Sequence, residues 1–240
     1  MKKFLLISFS AIMLMGVVSC SKYETVKGDP MKAKIYTLDN GLKVYMTVNK
    51  EQPRLQTYIA VRSGGKNDPS DNTGLAHYLE HIMFKGTESF GTTDYEAEKP
   101  LLDQIEEQFN IYRTKTDPQE RLAVYHVIDS LSDAASEISI PNEYDKLMSV
   151  IGSQGTNAFT SEDVTCYQEN IPSNQIENWA KIQADRFKNM VIRGFHTELE
   201  AVYEEYNMYL NEDVENAIYA KTGLVTYSGP HYCTFGFDGE

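Results

Sequence analysis

The chain is poor in several features that would organise a fold or a function. Its 240 residues contain three cysteines and no Cys-x-x-Cys pair. Too few thiols are present for a disulfide framework, and a thiolate zinc site is not suggested. Lys and Arg form no cluster, and the formal charge is −13. Phosphate recognition depends on neutralising cations, so no nucleic-acid partner is expected. After the first twenty residues no apolar run is long enough to span a bilayer. The sequence also lacks an internal repeat and any low-complexity tract, which leaves an ordinary globular domain of one generous unit.

The N-terminus is the most distinctive stretch by composition. Lys2 and Lys3 precede an apolar run from Phe4 to Val18, broken by Ser8, Ser10 and Gly16 and closed by Ser19-Cys20. Basic start, apolar run and small residues are the order of a secretory signal, too short for a transmembrane helix. With Cys20 next, the segment resembles a bacterial lipobox. That resemblance implies a signal peptide over 1–20, lipidation of Cys20, and a protein held at a membrane of the bacterial cell envelope, on its periplasmic or outer surface, without crossing it. An ordinary signal peptide is the alternative, since Val18 stands where a small residue is usual. Removing Lys2 and Lys3 takes the charge from −13 to −15. This acidity suits solubility or a basic peptide, and is too diffuse to select either. Cys166 and Cys233 are left, with pairing open in an oxidising compartment.

Residues 21–34 read as a polar tether, and 35–240 as the domain. Ile35 to Leu38 reads as a strand, Asp39-Asn40-Gly41 as a hairpin turn, and Lys43 to Asn49 alternates as a second strand. Leu55 to Val61 is a third. Leu75 to Lys85 changes to helical period, with Leu75, Leu79, Ile82 and Met83 on one stripe, Thr73 as cap and Gly86 as stop. Two charged helical patterns between Lys99 and Ile138 suggest a helical hairpin. Asn157 to Asn170 reads as extended chain. Helices follow from Pro172-Ser173 to about Met190, from His196 or Thr197 to about Leu210, and from Val214 to about Val225. Strands followed by helices argue for an α+β fold: one mostly antiparallel sheet with helices packed on a face.

The chemistry centres on His77-Tyr78-Leu79-Glu80-His81. On a helix, His77 and His81 stand one turn apart and can grip one metal ion. Glu80 borders the same face. Zinc held there would lower the pKa of a bound water, and Glu80 could take its proton; a third protein ligand is needed. The order His-x-x-Glu-His is the inverted form of the common zinc-peptidase motif. A helix with surface or core histidines is the competing reading.

Several ordered motifs carry a family resemblance. His77 to Thr87 resembles the active-site helix of the insulinase/pitrilysin zinc peptidases, which include the mitochondrial processing peptidases. Leu38 to Leu42, Gly64-Gly65-Lys66, Gly74-Leu75-Ala76, Asn157 to Ser161, Thr165-Cys166-Tyr167 and Glu198 to Glu205 match in order, covering Ile35 to the C-terminus. The resemblance implies one zinc ion per domain, with His77, His81 and Glu205 as ligands. It implies Glu80 as general base and Glu198 as the supporting acid of the catalytic set. Seven residues are nearly two helical turns, so Glu198 and Glu205 share a face. Glu204 is about a hundred degrees away and solvated; Glu200 is the weaker candidate. Asn157, Ala158, Phe159 and Thr160 would form the edge strand that pairs with substrate backbone, although a plain sheet strand with Phe159 in the core is the alternative. His126, His196 and His231 receive no role.

Two departures qualify the expected zinc endopeptidase of peptides or unfolded segments. The spacing from His81 to Glu205 exceeds the family's usual gap, through a helical insertion at about 99–145 that reads as a surface addition. The chain also stops at Gly236 to Glu240, where the family domain would continue. It is expected to need C-terminal domains or a second family subunit to close a chamber, and to show weak or no activity alone. A non-catalytic peptide-binding or scaffold subunit is the alternative.

Overall fold

A computed structural model describes residues 23–212, in one unit before Pro53 and one after it. The signal stretch, Cys20, the helix expected from Val214, His231, Cys233 and the chain's end lie outside the described residues.

The first unit is a small antiparallel sheet, ordered β1 (Glu24–Thr25), β2 (Lys34–Thr37) and β3 (Lys43–Met46). Asn40-Gly41 makes the expected hairpin turn: Gly41 adopts φ +87°, and the Asn40 side chain accepts the Leu42 amide at 3.1 Å. The tether expected over 21–34 differs, because its Glu24–Thr25 pairs with β2. Asp29 folds the chain back by accepting the Met31 and Ala33 amides at 2.9 and 2.8 Å, an Asx-type turn. No residue from 23 to 52 is buried.

The second unit is built on β4 (Arg54–Val61), β5 (Gln154–Thr160) and β6 (Thr165–Pro172), antiparallel in the order β4-β6-β5. The single extended stretch expected over 157–170 is thus two strands, turned at 161–164 where the Ser161 amide reaches Val164 O at 2.9 Å. The one expected sheet is two three-stranded ones. Six helices complete the described residues: α1 (Leu75–Ile82), α2 (Tyr95–Tyr112), α3 (Pro118–Ser136), α4 (Glu143–Val150), α5 (Ile176–Lys188) and α6 (Phe195–Glu212). The α+β class is borne out, with antiparallel sheets and α-helices.

Alternation along β6 turns Tyr167, Glu169 and Ile171 inward, all buried, as a period of two requires. Ile171 packs with Tyr144 and Met148 of α4, Trp179 and Ile182 of α5, and Phe90. Helix α4 was not legible in the sequence, yet Tyr144 and Met148 are fully buried. The insertion expected at about 99–145 is the α2–α3 hairpin, and its last residues belong instead to this core. The hairpin starts earlier than expected because Asp94 caps α2 by accepting the Ala97 amide. Asp117 caps α3 and Pro118 takes its first position, both favourable placements. Ile105 and Ile128 join the two helices, and Phe109 meets Phe195 of α6 with ring centroids 4.9 Å apart.

Two buried arginines fix the chain after α1. Arg186 is fully buried between the rings of Phe84, Tyr144 and Tyr167, with centroids 4.3–4.6 Å from its guanidinium carbon. Its Nε donates to Met83 O at 2.7 Å. Arg193 makes a two-pronged ion pair with Glu98 of α2, at 2.7 and 2.8 Å, and donates to Thr87 O at 2.7 Å. Gly86 lies beneath it at φ +107°, and a Cβ there would strike Phe90 O and approach Arg193 Nη1 at 2.9 Å. The expected stop at Gly86 therefore falls beyond the helix end; the glycine admits the arginine.

Removing one member of a buried pair strands its partner's charge, at a cost of about 3–5 kcal/mol. Glu98→Ala is expected to lower unfolding stability in urea by that amount. Lys99→Ala, which breaks an exposed pair with Asp103, should leave the midpoint in place. Equal effects from the two variants would refute the role given to Arg193 and Glu98.

Candidate metal centre

The helix carrying the motif begins differently from expectation. Gly74, at φ +89°, is the cap position rather than Thr73. The Asp68 carboxylate accepts the Gly74 and Ala76 amides at 2.7 and 3.0 Å, satisfying donors that a helix start leaves open. Tyr78 and Ile82 of α1 are buried against Leu199 and Val202 of α6, and the Tyr78 hydroxyl donates to Phe195 O at 3.0 Å. This packing brings α1 and α6 together. His77, Glu80 and His81 of α1 then line an open cleft together with Glu198 and Glu205 of α6.

Three ligand atoms converge. His77 Nε2 and His81 Nε2 are 3.1 Å apart, and Glu205 Oε2 lies 3.5 and 3.6 Å from them. No other cluster of three such side chains occurs among the described residues. Zinc with ligands at 2.0–2.2 Å in a tetrahedron spaces its donors roughly 3.3–3.6 Å apart. The two separations to Glu205 fit that spacing, and the imidazole nitrogens, at 3.1 Å, stand slightly closer.

The proton inventory makes the same point. Glu198 Oε1 lies 2.8 Å from His81 Nδ1. A carboxylate only accepts, so Nδ1 carries the hydrogen and a neutral ring presents a lone pair from Nε2. That lone pair faces the Glu205 carboxylate, also an acceptor. That opposition is relieved by a hydrogen donated from His77 Nε2, 3.1 Å from His81 Nε2, or by a cation between the acceptors, a proton or a metal ion. Burial works against charge on His81, yet the Glu198 hydrogen bond, Glu205 and Glu80 outweigh it and raise its pKa.

The two buried acids are held oppositely. Glu80 is 7% exposed, and burial raises its pKa, against the hydrogen bond from Thr160 and the charge of His81. The Thr160 hydroxyl donates to Glu80 Oε2 at 2.6 Å. Burial pushes Glu198 the same way, but bonds from His81 and Lys85 reverse it and leave the pKa lowered. Lys85 Nζ contacts Glu198 Oε2 directly. The sequence pointed to neither Thr160 as a partner of Glu80 nor Lys85 as one of Glu198. Both pairings join elements distant along the chain, and no spacing rule reports them.

The cleft has a volume of about 590 Å³ and β5 forms one wall, from Thr156 to Thr160. β5 is an edge of its sheet, with Asn157, Ala158, Phe159 and Thr160 paired to β6 on one side. Phe159 is 46% exposed, which corrects its reading as a core residue. Thr160 turns its hydroxyl to Glu80, so its side chain belongs to the motif helix. No residue of α2 or α3 lines the cleft among the described residues. Glu200 and Glu204 are exposed on α6, and His126 on α3. His196 faces the rings of Phe109 and Tyr125, away from the three donors. Cys166 is a buried free thiol on β6.

Comparison with known proteins bears out the resemblance drawn from the motifs. The family model described as insulinase, peptidase family M16, matches residues 43–117. A Bacillus subtilis protein named as an uncharacterized zinc protease, YmxG, is 23% identical over 178 residues, 73% of this chain and 31% of that protein. The mitochondrial-processing peptidase subunit beta of Blastocladiella emersonii is 31% identical over 84 residues, 35% of this chain and 18% of that protein. A Helicobacter pylori protease of known structure shares the fold, with TM-score 0.57 and 20% identity, covering 86% of this chain and 38% of that one. The chain thus spans less than a third of the length of the curated relatives it matches.

The hydroxyl of Thr160 stabilises the ionised form of Glu80. Thr160→Val is expected to raise the Glu80 pKa further, moving its titration to higher pH in a carboxyl-carbon NMR experiment. An unmoved Glu80 signal would show that the hydroxyl does not control this acid.

Proposed function

We propose that this insulinase-family chain supplies the metal-binding half of a zinc endopeptidase that cleaves peptides or unfolded protein segments. Its peptidase character rests on the family match and on relatives named as proteases. The observation that carries the zinc reading is the meeting of His77 Nε2, His81 Nε2 and Glu205 Oε2, three atoms able to ligate one ion. When bound, a zinc ion supplies a Lewis acid that polarises the scissile carbonyl and makes water acidic near neutral pH.

The chain's own groups divide the rest of the work. Glu198 holds His81 Nδ1 and turns Nε2 toward the ion, as a partner behind a ligand commonly does. Glu80 is the general base. Its raised pKa lies nearer neutrality than an ordinary carboxylate's, which suits proton transfer, and Thr160 holds one oxygen so that the other faces the cleft. The proton it takes from water is available for the departing amine. An extended peptide adds to the free edge of β5, where main-chain pairing gives affinity without demanding a sequence. Phe159, exposed beside the cleft, offers an apolar contact to a substrate side chain.

The relatives' additional length supports a division of labour in which further domains or a second subunit complete substrate binding. On this reading residues 21–240 alone bind zinc and turn over peptide weakly or not at all. Lipidation of Cys20 would place the enzyme at the bacterial cell envelope.

The deciding experiment is a quenched-peptide assay on the full-length, zinc-loaded protein. Glu80→Gln is expected to cut turnover by about 10²–10⁴-fold, the usual worth of a general base, while zinc content stays at one per domain. Turnover at the unmutated level would sink the assignment.

A further inference from the structure

We propose that Lys85 is a positioning residue of the metal centre: its ammonium fixes the Glu198 carboxylate so that the opposite oxygen faces His81 Nδ1. This inference rests on the zinc reading given above. Glu198 is 9% exposed, and its two oxygens have different partners. Oε1 lies 2.8 Å from His81 Nδ1, and Oε2 contacts Lys85 Nζ. A carboxylate anchored at one oxygen can still swing about its terminal torsion, a broad and soft coordinate. Anchored at both, it holds the plane in which His81 must keep its ring.

The anchor itself is launched from a rigid point. Lys85 follows His81 by four residues and continues the same face of α1 into the turn beyond it. Its amide reaches Ile82 O at 2.9 Å. Its carbonyl accepts from Arg193 Nη1 at 3.3 Å, and Arg193 is locked by Glu98 of α2. A chain of contacts therefore runs from a buried ion pair through Lys85 and Glu198 to a ligand ring. Lys85 also supplies countercharge. Glu80, Asp145, Glu198 and Glu205 bring four carboxylates to the cleft, and Lys85 is the one Lys or Arg among its described lining residues. Without it the buried Glu198 has His81 as its remaining partner for charge, and the ring loses its orientation when that bond slackens.

Two simpler roles would look similar in a static structure. Lys85 borders the cleft, so it could contact substrate. Its side chain is 35% exposed, so it could form an ion pair of little consequence, as exposed pairs commonly do. The three roles separate on different readouts. A positioning role acts on zinc affinity and is restored by another cation; a substrate role acts on KM alone; an idle pair acts on neither.

The test uses full-length protein with zinc and a competing chelator, comparing the unmutated protein, Lys85→Met and Lys85→Arg. Partners behind a metal ligand typically contribute about 10–100-fold in metal affinity. Lys85→Met is expected to weaken zinc binding by about 10-fold or more. Lys85→Arg should keep most of the affinity. Equal zinc affinity in all three proteins overturns the proposal, and a rise in KM with zinc affinity intact makes Lys85 a substrate contact instead. If the unmutated protein binds no zinc, the metal reading itself fails, a result distinct from a failure at Lys85.

Discussion

The bond between His81 Nδ1 and Glu198 Oε1, 2.8 Å long, ties two helices that are separated in sequence by the α2–α3 hairpin, α4, the strands β5 and β6, and α5. Everything at the cleft follows from it. It settles which His81 nitrogen carries hydrogen and aims the other toward His77 Nε2 and Glu205, where the three ligand atoms meet. Packing of Tyr78 and Ile82 against Leu199 and Val202 brings α1 and α6 together without specifying their rotation to this accuracy. The polar bond supplies that last constraint, and its burial makes a misaligned alternative costly.

Two glutamates on the same cleft are driven apart by their surroundings. Burial raises Glu80, and its opposing partners do not restore the ordinary value. Burial acts on Glu198 as well, but His81 and Lys85 more than offset it. Oppositely shifted carboxyls side by side are the pattern of a divided acid–base task. On the proposed reading Glu80 exchanges a proton, while Glu198 stays ionised and holds the His81 ring. The hairpin α2–α3 takes part at a distance, since Glu98 of α2 locks Arg193 and Phe109 packs on Phe195 at the start of α6. The segment that looked like a surface addition therefore braces the helix bearing Glu198 and Glu205.

The motif helix was legible because its signal is local: a 3.6-residue period, two histidines one turn apart, and a glutamate beside them. The Asn40-Gly41 hairpin was legible for the same reason. Glu205 was reached through family resemblance, and the acidic run from Glu198 to Glu205 read without it would pass for a solvated helix start. The errors lie where tertiary contacts decide. Helix α4 is short, follows Pro141-Asn142, and owes its formation to burying Tyr144 and Met148 rather than to its own periodicity. Gly86 looked like a helix stop, but its φ and the missing Cβ serve the guanidinium of Arg193. Phe159 looked like core because it is aromatic, although strand alternation turns it out toward solvent.

The central claim is that His77, His81 and Glu205 hold one zinc ion. The most direct measurement is zinc titration of the metal-free protein followed by zinc-edge X-ray absorption on the one-equivalent complex. One tightly bound zinc per chain is expected, with two imidazole nitrogens and a carboxylate oxygen at about 2.0–2.2 Å. Binding that survives intact in the His77→Ala variant, a sulfur-containing ligand set, or no stoichiometric uptake would contradict it.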